Sequence, residues 1–209
     1  MDVGTTIFVV IIVIFSAIVH EVMHGVAADQ LGDPTARYAG RLTLNPLVHL
    51  DPFGSVILPL VLVFSGSPIF FGYAKPVPYN PYNLRPGRFS EAIVALAGPA
   101  SNAVLALIGA LIIRTGIVAS INDIIFLIVV VNVMLCFFNL IPVPPLDGSK
   151  ILASLLPNPF ARGYARLRFE LERNPLLGMV IVVLIVYGLG SLWSDFIYSV
   201  ASAISGVTL

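Results

Sequence analysis

Residues 5–31, TTIFVVIIVIFSAIVHEVMHGVAADQL, join an uninterrupted apolar run to a group of ionisable side chains. Residues 7–19 carry no charge, and with their continuation they exceed the roughly 20 mostly apolar residues that a membrane span needs. His20, Glu21 and His24 follow within the same segment. The stretch therefore predicts a membrane-spanning helix with a polar cluster towards one end, which we expect to be retained and not cleaved as a signal peptide.

The whole chain has the composition of a membrane protein. Of its 209 residues, 58% are hydrophobic and 11% are charged, whereas a soluble domain has about 25% charged residues. A formal net charge of +0 without a basic stripe excludes nucleic-acid binding, and the single Cys136 excludes a cysteine-based zinc site. We predict an all-α polytopic membrane protein in the lipid bilayer, with about five or six hydrophobic segments.

The basic residues predict the topology. Residues 53–71 are interrupted by Pro59, Gly66 and Pro68, as a broken, re-entrant element would be. If they re-enter, ten of the 11 basic residues share one side and Arg114 alone faces the other; if they cross, the split is eight to three. The positive-inside rule favours re-entry. We therefore expect the polar ends of the first and fourth segments on the cytoplasmic side of the cell membrane, and a short strand or hairpin at residues 37–50.

His20-Glu21-Val22-Met23-His24 is an H-E-x-x-H motif. On a helix the two histidines share a face, so both imidazoles can bind one Zn²⁺, and the adjacent Glu21 can accept a proton from a water that zinc makes acidic. The alternative is three polar residues that merely face the interior of a bundle. That alternative is weak because each is costly within a bilayer, and two of only 3 histidines form the motif.

The third zinc ligand must come from elsewhere, and two residues are candidates. Asp147 follows a proline-rich break that ends the fourth segment, so it can point back into the bundle; its alternative role is to cap a helix over residues 149–156. His49 precedes Asp51-Pro52 and could instead be an interfacial loop histidine. We favour Asp147 over His49.

The two polar motifs together resemble the site-2 protease family of intramembrane metalloproteases. His20-Glu21-x-x-His24 lies in a first span, and Asn139-x-x-Pro142-x-x-x-x-Asp147-Gly148 lies late in another. Between them, Asn45-Pro46 and the stretches at 72–78 and 97–102 are similar to the compact prokaryotic members. The resemblance covers roughly residues 15 to 150.

The resemblance implies a site with one zinc ion per chain, held by His20, His24 and Asp147, with Glu21 as general base and acid. It also implies that Asn139 lies near the site, where it would orient Asp147 or help to hold the developing oxyanion. Many relatives carry a PDZ or CBS domain, and we expect neither within residues 1–209.

We therefore expect one membrane-embedded metalloprotease domain over residues 1–209, with its catalytic core at 5–156 and C-terminal spans at 174–209. It would hydrolyse peptide bonds in or near transmembrane segments of a membrane-protein substrate, in regulated intramembrane proteolysis or in clearance of membrane remnants. The alternative is a membrane metal-ion transporter or metal-handling protein, whose sites also lie on broken helices. Asn102, a polar residue inside a span, has either a helix-packing or a substrate role.

Overall fold

The computed structural model describes residues 3–49, 57, 75–117 and 119–208. Within these ranges the chain is helical and has no strand. Apart from Ile57, the predicted re-entrant element at residues 53–71 lies outside the described residues.

From Ser90 to Ser205 the helices follow one another along the chain with short connections. Two 3₁₀ turns, at Pro81–Asn83 and Ala119–Ile121, precede the second and third long helices. The α-helices of the described residues are α1 (Val3–Gln30), α2 (Thr35–Tyr38), α3 (Pro46–His49), α4 (Ser90–Thr115), α5 (Asn122–Asn139), α6 (Asp147–Leu155), α7 (Asn158–Arg173), α8 (Pro175–Leu189) and α9 (Ser191–Ser205).

Three helical stretches are long and apolar enough to cross a membrane: Gly4–Gln30, Ser90–Thr115 and Ala119–Asn139. The pair α8 and α9 adds a fourth if it counts as one span, although the two helices meet at 81°. Each has 15 residues, or about 22 Å at 1.5 Å per residue, which is short of a hydrocarbon core of about 30 Å. The described residues thus contain fewer spans than the five or six segments predicted.

The predicted strand or hairpin at residues 37–50 is not confirmed. The described part of this region contains turns and the two short helices α2 and α3 instead. Asp33 accepts a hydrogen bond from the Thr35 N–H, and Asn45 accepts one from the Leu47 N–H, so a side chain starts each helical turn. An isolated two-stranded hairpin is only marginally stable, and these local bonds favour turns.

Small residues bring the long helices close together. A Cβ atom at Gly109 of α4 would lie 2.9 Å from Val129 Cγ2 of α5, so the glycine permits their close approach. The apolar core here combines α4, α5 and α9, and consists of Ala106, Ala110, Ile113, Ile125, Val129, Val133, Ile197 and Ala201. A second, smaller cluster packs Ala28 near the C-terminal end of α1 against Val94 in the N-terminal half of α4.

Arginine contacts mark the two ends of the bundle. At one end, Arg88 donates to the carbonyl oxygens of Ser154 and Leu156, next to the end of α6. At the other end, Arg114 donates to the carbonyl oxygen of Ile204 in α9. Arg114 is the one basic residue that the sequence assigned to its own side of the membrane.

Candidate metal centre

Three donor atoms from distant parts of the chain converge inside the bundle. Nε2 of His20 lies 3.0 Å from Nε2 of His24, and each lies 3.1 Å from Oδ2 of Asp147. All three residues are buried. In the part of the chain that the structure describes, they form the one group of three or more His, Cys, Asp or Glu residues able to share a metal ion.

The donor set fits zinc. Two imidazoles and a carboxylate are ordinary zinc ligands, and tetrahedral bonds of about 2.0–2.1 Å place ligand atoms about 3.3–3.4 Å apart, close to the separations found here. Three lone pairs aimed at one another at such distances repel unless a cation or protons lie between them. The arrangement therefore suits one tetrahedral ion with a fourth position left for water or substrate.

The outer ring nitrogen of each histidine has its own partner. Nδ1 of His24 lies 2.7 Å from the carbonyl oxygen of Val94, and Nδ1 of His20 lies 2.6 Å from Oδ1 of Asn102. Because both partners are oxygen acceptors, each Nδ1 donates, and each Nε2 keeps a lone pair for a metal. Asn102, whose role the sequence left open between packing and substrate, thus contacts a candidate ligand.

Gly98 of α4 supplies the space in which the two imidazoles meet. A Cβ atom at this position would lie 2.5 Å from Nε2 of both His20 and His24. The sequence showed Gly98 in a motif shared with Asn102 but gave no sign that it touches the donor atoms. The Val94 carbonyl was missed as well, because a backbone acceptor leaves no mark in residue type.

Asp147 is the first residue of α6, and Leu146 occupies the capping position. Asp147 therefore does not cap this helix; its Oδ2 faces the histidines, and its Oδ1 lies 3.9 Å from Nζ of Lys150. Burial lowers the pKa of the Lys150 ammonium, but Tyr79 and Asp147 outweigh it and raise the pKa above its usual value. Lys150 thus remains a cation beside the carboxylate.

Glu21 is half-buried beside the donor group but is not part of it. Its Oε2 accepts a hydrogen bond of 2.8 Å from the backbone N–H of Val77. The stretch at residues 75–80 that contains Val77 is also held by Arg41, which donates to the carbonyl oxygens of Lys75 and Pro76. A carboxylate is therefore held in one orientation next to the candidate metal ligands.

The other two predicted residues lie in different surroundings. The side-chain amide of Asn139 donates to the Leu135 carbonyl in its own helix at 3.0 Å, and its predicted role towards Asp147 or an oxyanion stays a prediction. His49 is buried and donates from Nε2 to the carbonyl oxygen of Thr43 at 2.8 Å. The structure therefore brings Asp147, and not His49, to the two histidines of α1.

Known proteins resemble this chain over most of its length. Residues 114–170 match the profile of Peptidase family M50. A Bacillus subtilis protein named "Putative zinc metalloprotease YwhC" is 35% identical over 89% of this chain and 84% of its own length. A Mycolicibacterium smegmatis protein named "Putative zinc metalloprotease Rip2" is 33% identical over 70% of this chain and 56% of its own length. No solved structure matches the chain.

Proposed function

The chain belongs to peptidase family M50, the site-2 protease family of zinc metalloproteases, and from this premise we propose that it hydrolyses peptide bonds in or beside transmembrane helices of other membrane proteins. The observation that carries the proposal is the convergence of His20, His24 and Asp147 donor atoms within 3.1 Å inside a bundle of membrane-spanning helices. Regulated intramembrane proteolysis and clearance of membrane remnants are the two settings in which such cleavage would serve.

In this proposal the three residues hold one zinc ion per chain. Zinc in such a site supplies Lewis-acid chemistry and makes a water molecule acidic near neutral pH. Glu21 would take the proton of the attacking water and pass it to the leaving amine. The N–H of Val77 would keep the Glu21 carboxylate aimed at that water. Asn139, at the end of α5, would orient Asp147 or donate to the developing oxyanion.

The substrate must lose its helical hydrogen bonds before it can react. An amide inside a helix is hidden because its carbonyl oxygen accepts the N–H four residues later. Water must also reach a buried site, so we propose a polar route from the side of the bundle that carries the loops around Lys75 and Lys150. A partly unwound transmembrane segment of the substrate would enter from the bilayer beside α1 and α4.

We propose that this side faces the cytoplasm, because ten of the 11 basic residues belong to it and Arg114 does not. Single cysteines in a Cys136→Ala background test this orientation. Ile117 lies beyond the end of α4 and is exposed, and Gly163 is an exposed position on α7. In intact cells a membrane-impermeant thiol reagent should label Ile117→Cys and not Gly163→Cys; the reverse pattern would contradict the orientation.

The decisive experiment measures zinc content and cleavage together, with the purified protein and a membrane substrate in proteoliposomes. Glu21→Gln should keep stoichiometric zinc and lose cleavage. Asp147→Ala should lose both, whereas His49→Ala, the matched histidine outside the donor group, should keep zinc. Full cleavage by purified Glu21→Gln would contradict the proposed metalloprotease mechanism, in which Glu21 is the general base.

The same proteoliposomes separate a protease from a metal transporter. A transporter moves zinc across the bilayer and needs polar groups along a path through it. We expect bound zinc without zinc uptake into the vesicles. Uptake that depends on His20 and Asp147, without any proteolysis, would favour the transporter instead.

A further inference from the structure

A pair of buried asparagines connects the metal centre to a helix that supplies none of the three donor residues. Asn102 of α4 and Asn132 of α5 are both 0% exposed. Nδ2 of Asn102 lies 3.0 Å from Oδ1 of Asn132, and Nδ2 of Asn132 lies 2.9 Å from the carbonyl oxygen of Ile128. Together with the contact between Asn102 and His20, these bonds form a continuous relay across three helices.

The backbone carbonyl at the far end fixes the direction of every bond in this relay. The Ile128 oxygen can only accept, so the NH₂ group of Asn132 must face it, and the Asn132 oxygen must face Asn102. Asn102 then has to donate through Nδ2, which also lies 3.4 Å from the Ser16 carbonyl oxygen. Its own oxygen is thereby turned towards His20.

The consequence reaches the metal site. With an oxygen as its partner, Nδ1 of His20 carries the proton, and Nε2 presents its lone pair towards His24 and Asp147. We infer that Asn132 is a positioning residue for metal binding: through Asn102 it fixes the ring orientation and tautomer of His20. The inference rests on the zinc site of the proposed function and not on the identity of any substrate.

The Nδ1 atoms of the two histidines have hydrogen-bond partners of different kinds. His24 donates directly to the backbone oxygen of Val94, so no change of side chain at Val94 removes its partner. His20 depends on two amide side chains, and the outer one, Asn132, belongs to a different helix from His20. A substitution at Asn132 therefore acts on one ligand and leaves the other ligand's partner in place.

A purely structural role would have a different signature. Amide pairs also hold membrane helices together, and a pair with that role alone would change the stability of the bundle without changing the zinc affinity of the folded protein. The rival interpretations are separated by measuring zinc affinity, by chelator competition, on protein that is shown to be folded.

We expect Asn132→Leu to weaken zinc binding by about 10–100-fold, the usual loss when the partner that orients a metal ligand is removed. As a neutral acid, the side chain of Asn132→Asp keeps an oxygen that accepts from Asn102 and an O–H that donates to the Ile128 carbonyl, so this variant should stay within a few-fold of wild type. Since Asn132 acts through Asn102, the double variant Asn102→Leu/Asn132→Leu should bind zinc no more weakly than Asn102→Leu alone.

Wild-type zinc affinity in folded Asn132→Leu would overturn the inference. So would a double variant whose loss of zinc affinity equals the sum, in free energy, of the losses of the two single variants. If Asn132→Leu does not fold, ¹⁵N NMR of the metal-free wild-type protein replaces it, and only 3 histidines need to be assigned. His20 should be protonated on Nδ1, and protonation on Nε2 would overturn the inference. A protein that binds zinc but cleaves nothing would contradict the proposed protease and leave this inference standing.

Discussion

The backbone N–H of Val77 donates to Oε2 of Glu21 at 2.8 Å. This bond joins the residue directly after His20 to a stretch 56 positions later in the chain. It orients the carboxylate that we propose as general base, and it does so with a main-chain N–H that every residue except proline supplies.

Proline at position 77 would remove that N–H. We expect Val77→Pro to lower cleavage by about 10–100-fold, because a hydrogen bond to a charged group is worth about 1.5–3 kcal/mol, while zinc content stays at the wild-type level. Val77→Ala, which keeps the N–H, is the matched control and should retain most of the activity. Equal cleavage rates for the two variants would show that the bond does not orient Glu21.

Gly98→Ala should abolish stoichiometric zinc binding. The added Cβ atom would lie 2.5 Å from Nε2 of both His20 and His24, a separation that real Cβ atoms essentially never show. Zinc content of the purified protein is the measurement. Gly188→Ala is the control within an apolar helix, since nothing lies within 4 Å of a Cβ atom there, and it should bind zinc normally. Full zinc occupancy in Gly98→Ala would contradict the site geometry.

Acid should loosen the stretch that follows α1. Asp33 is fully buried and accepts hydrogen bonds from Thr35, Asn80 and Asn83. Burial alone would raise the pKa of the Asp33 carboxyl, but the bonds from these three residues outweigh it and lower the pKa below 3.8. Its stabilisation is therefore present above pH 3.8 and is lost as the pH falls through the lowered value.

Thermal unfolding in detergent checks this pH dependence. Asp33→Asn should destabilise the protein by about 1–3 kcal/mol at pH 7, since the amide keeps one oxygen for Thr35 and Asn83 but turns an NH₂ group towards the Asn80 N–H, which loses its acceptor. The gap between wild type and variant should narrow below pH 3.8, because the wild-type carboxylate then becomes protonated. A gap of constant size from pH 7 to pH 3 would rule out the carboxylate as the source.

Removal of zinc should lower stability as well as activity. The proposed ion ties α1 to the start of α6, and a ligand present at 100 times its dissociation constant stabilises the folded state by about 2.7 kcal/mol. A chelator should therefore lower the melting temperature of the wild-type protein and leave that of Asp147→Ala unchanged. An equal shift in both proteins would indicate that the chelator acts elsewhere.

The sequence predicted the part of the site that is local. His20 and His24 lie one helical turn apart, so helix geometry alone puts them on one face. The prediction of Asp147 as the third ligand rested on the proline-rich break before it and on the resemblance to a known family. The contacts of Gly98, the Val94 carbonyl and Asn132 depend on how α1, α4 and α5 pack, and no pattern within one segment encodes that packing.

The predictions that were not confirmed concern regions without strong periodicity. At residues 37–50, mixed polar and apolar residues suggested a strand, but Asp33 and Asn45 start helical turns there. In the C-terminal region, apolar content suggested separate spans, but Gly190 adopts a φ of 54° between α8 and α9. A glycine in this conformation divides one apolar stretch into two short helices set at an angle.

The missing side chain at Gly98 also links two quantities that are usually varied independently. The imidazole rings of His20 and His24 pack directly against the backbone of Gly98. The spacing between α1 and α4 and the arrangement of the two Nε2 atoms therefore depend on each other. An alanine at position 98 would therefore change both at once, because either the two helices move apart or the two rings turn, and each change alters the geometry in which the histidines hold a metal ion.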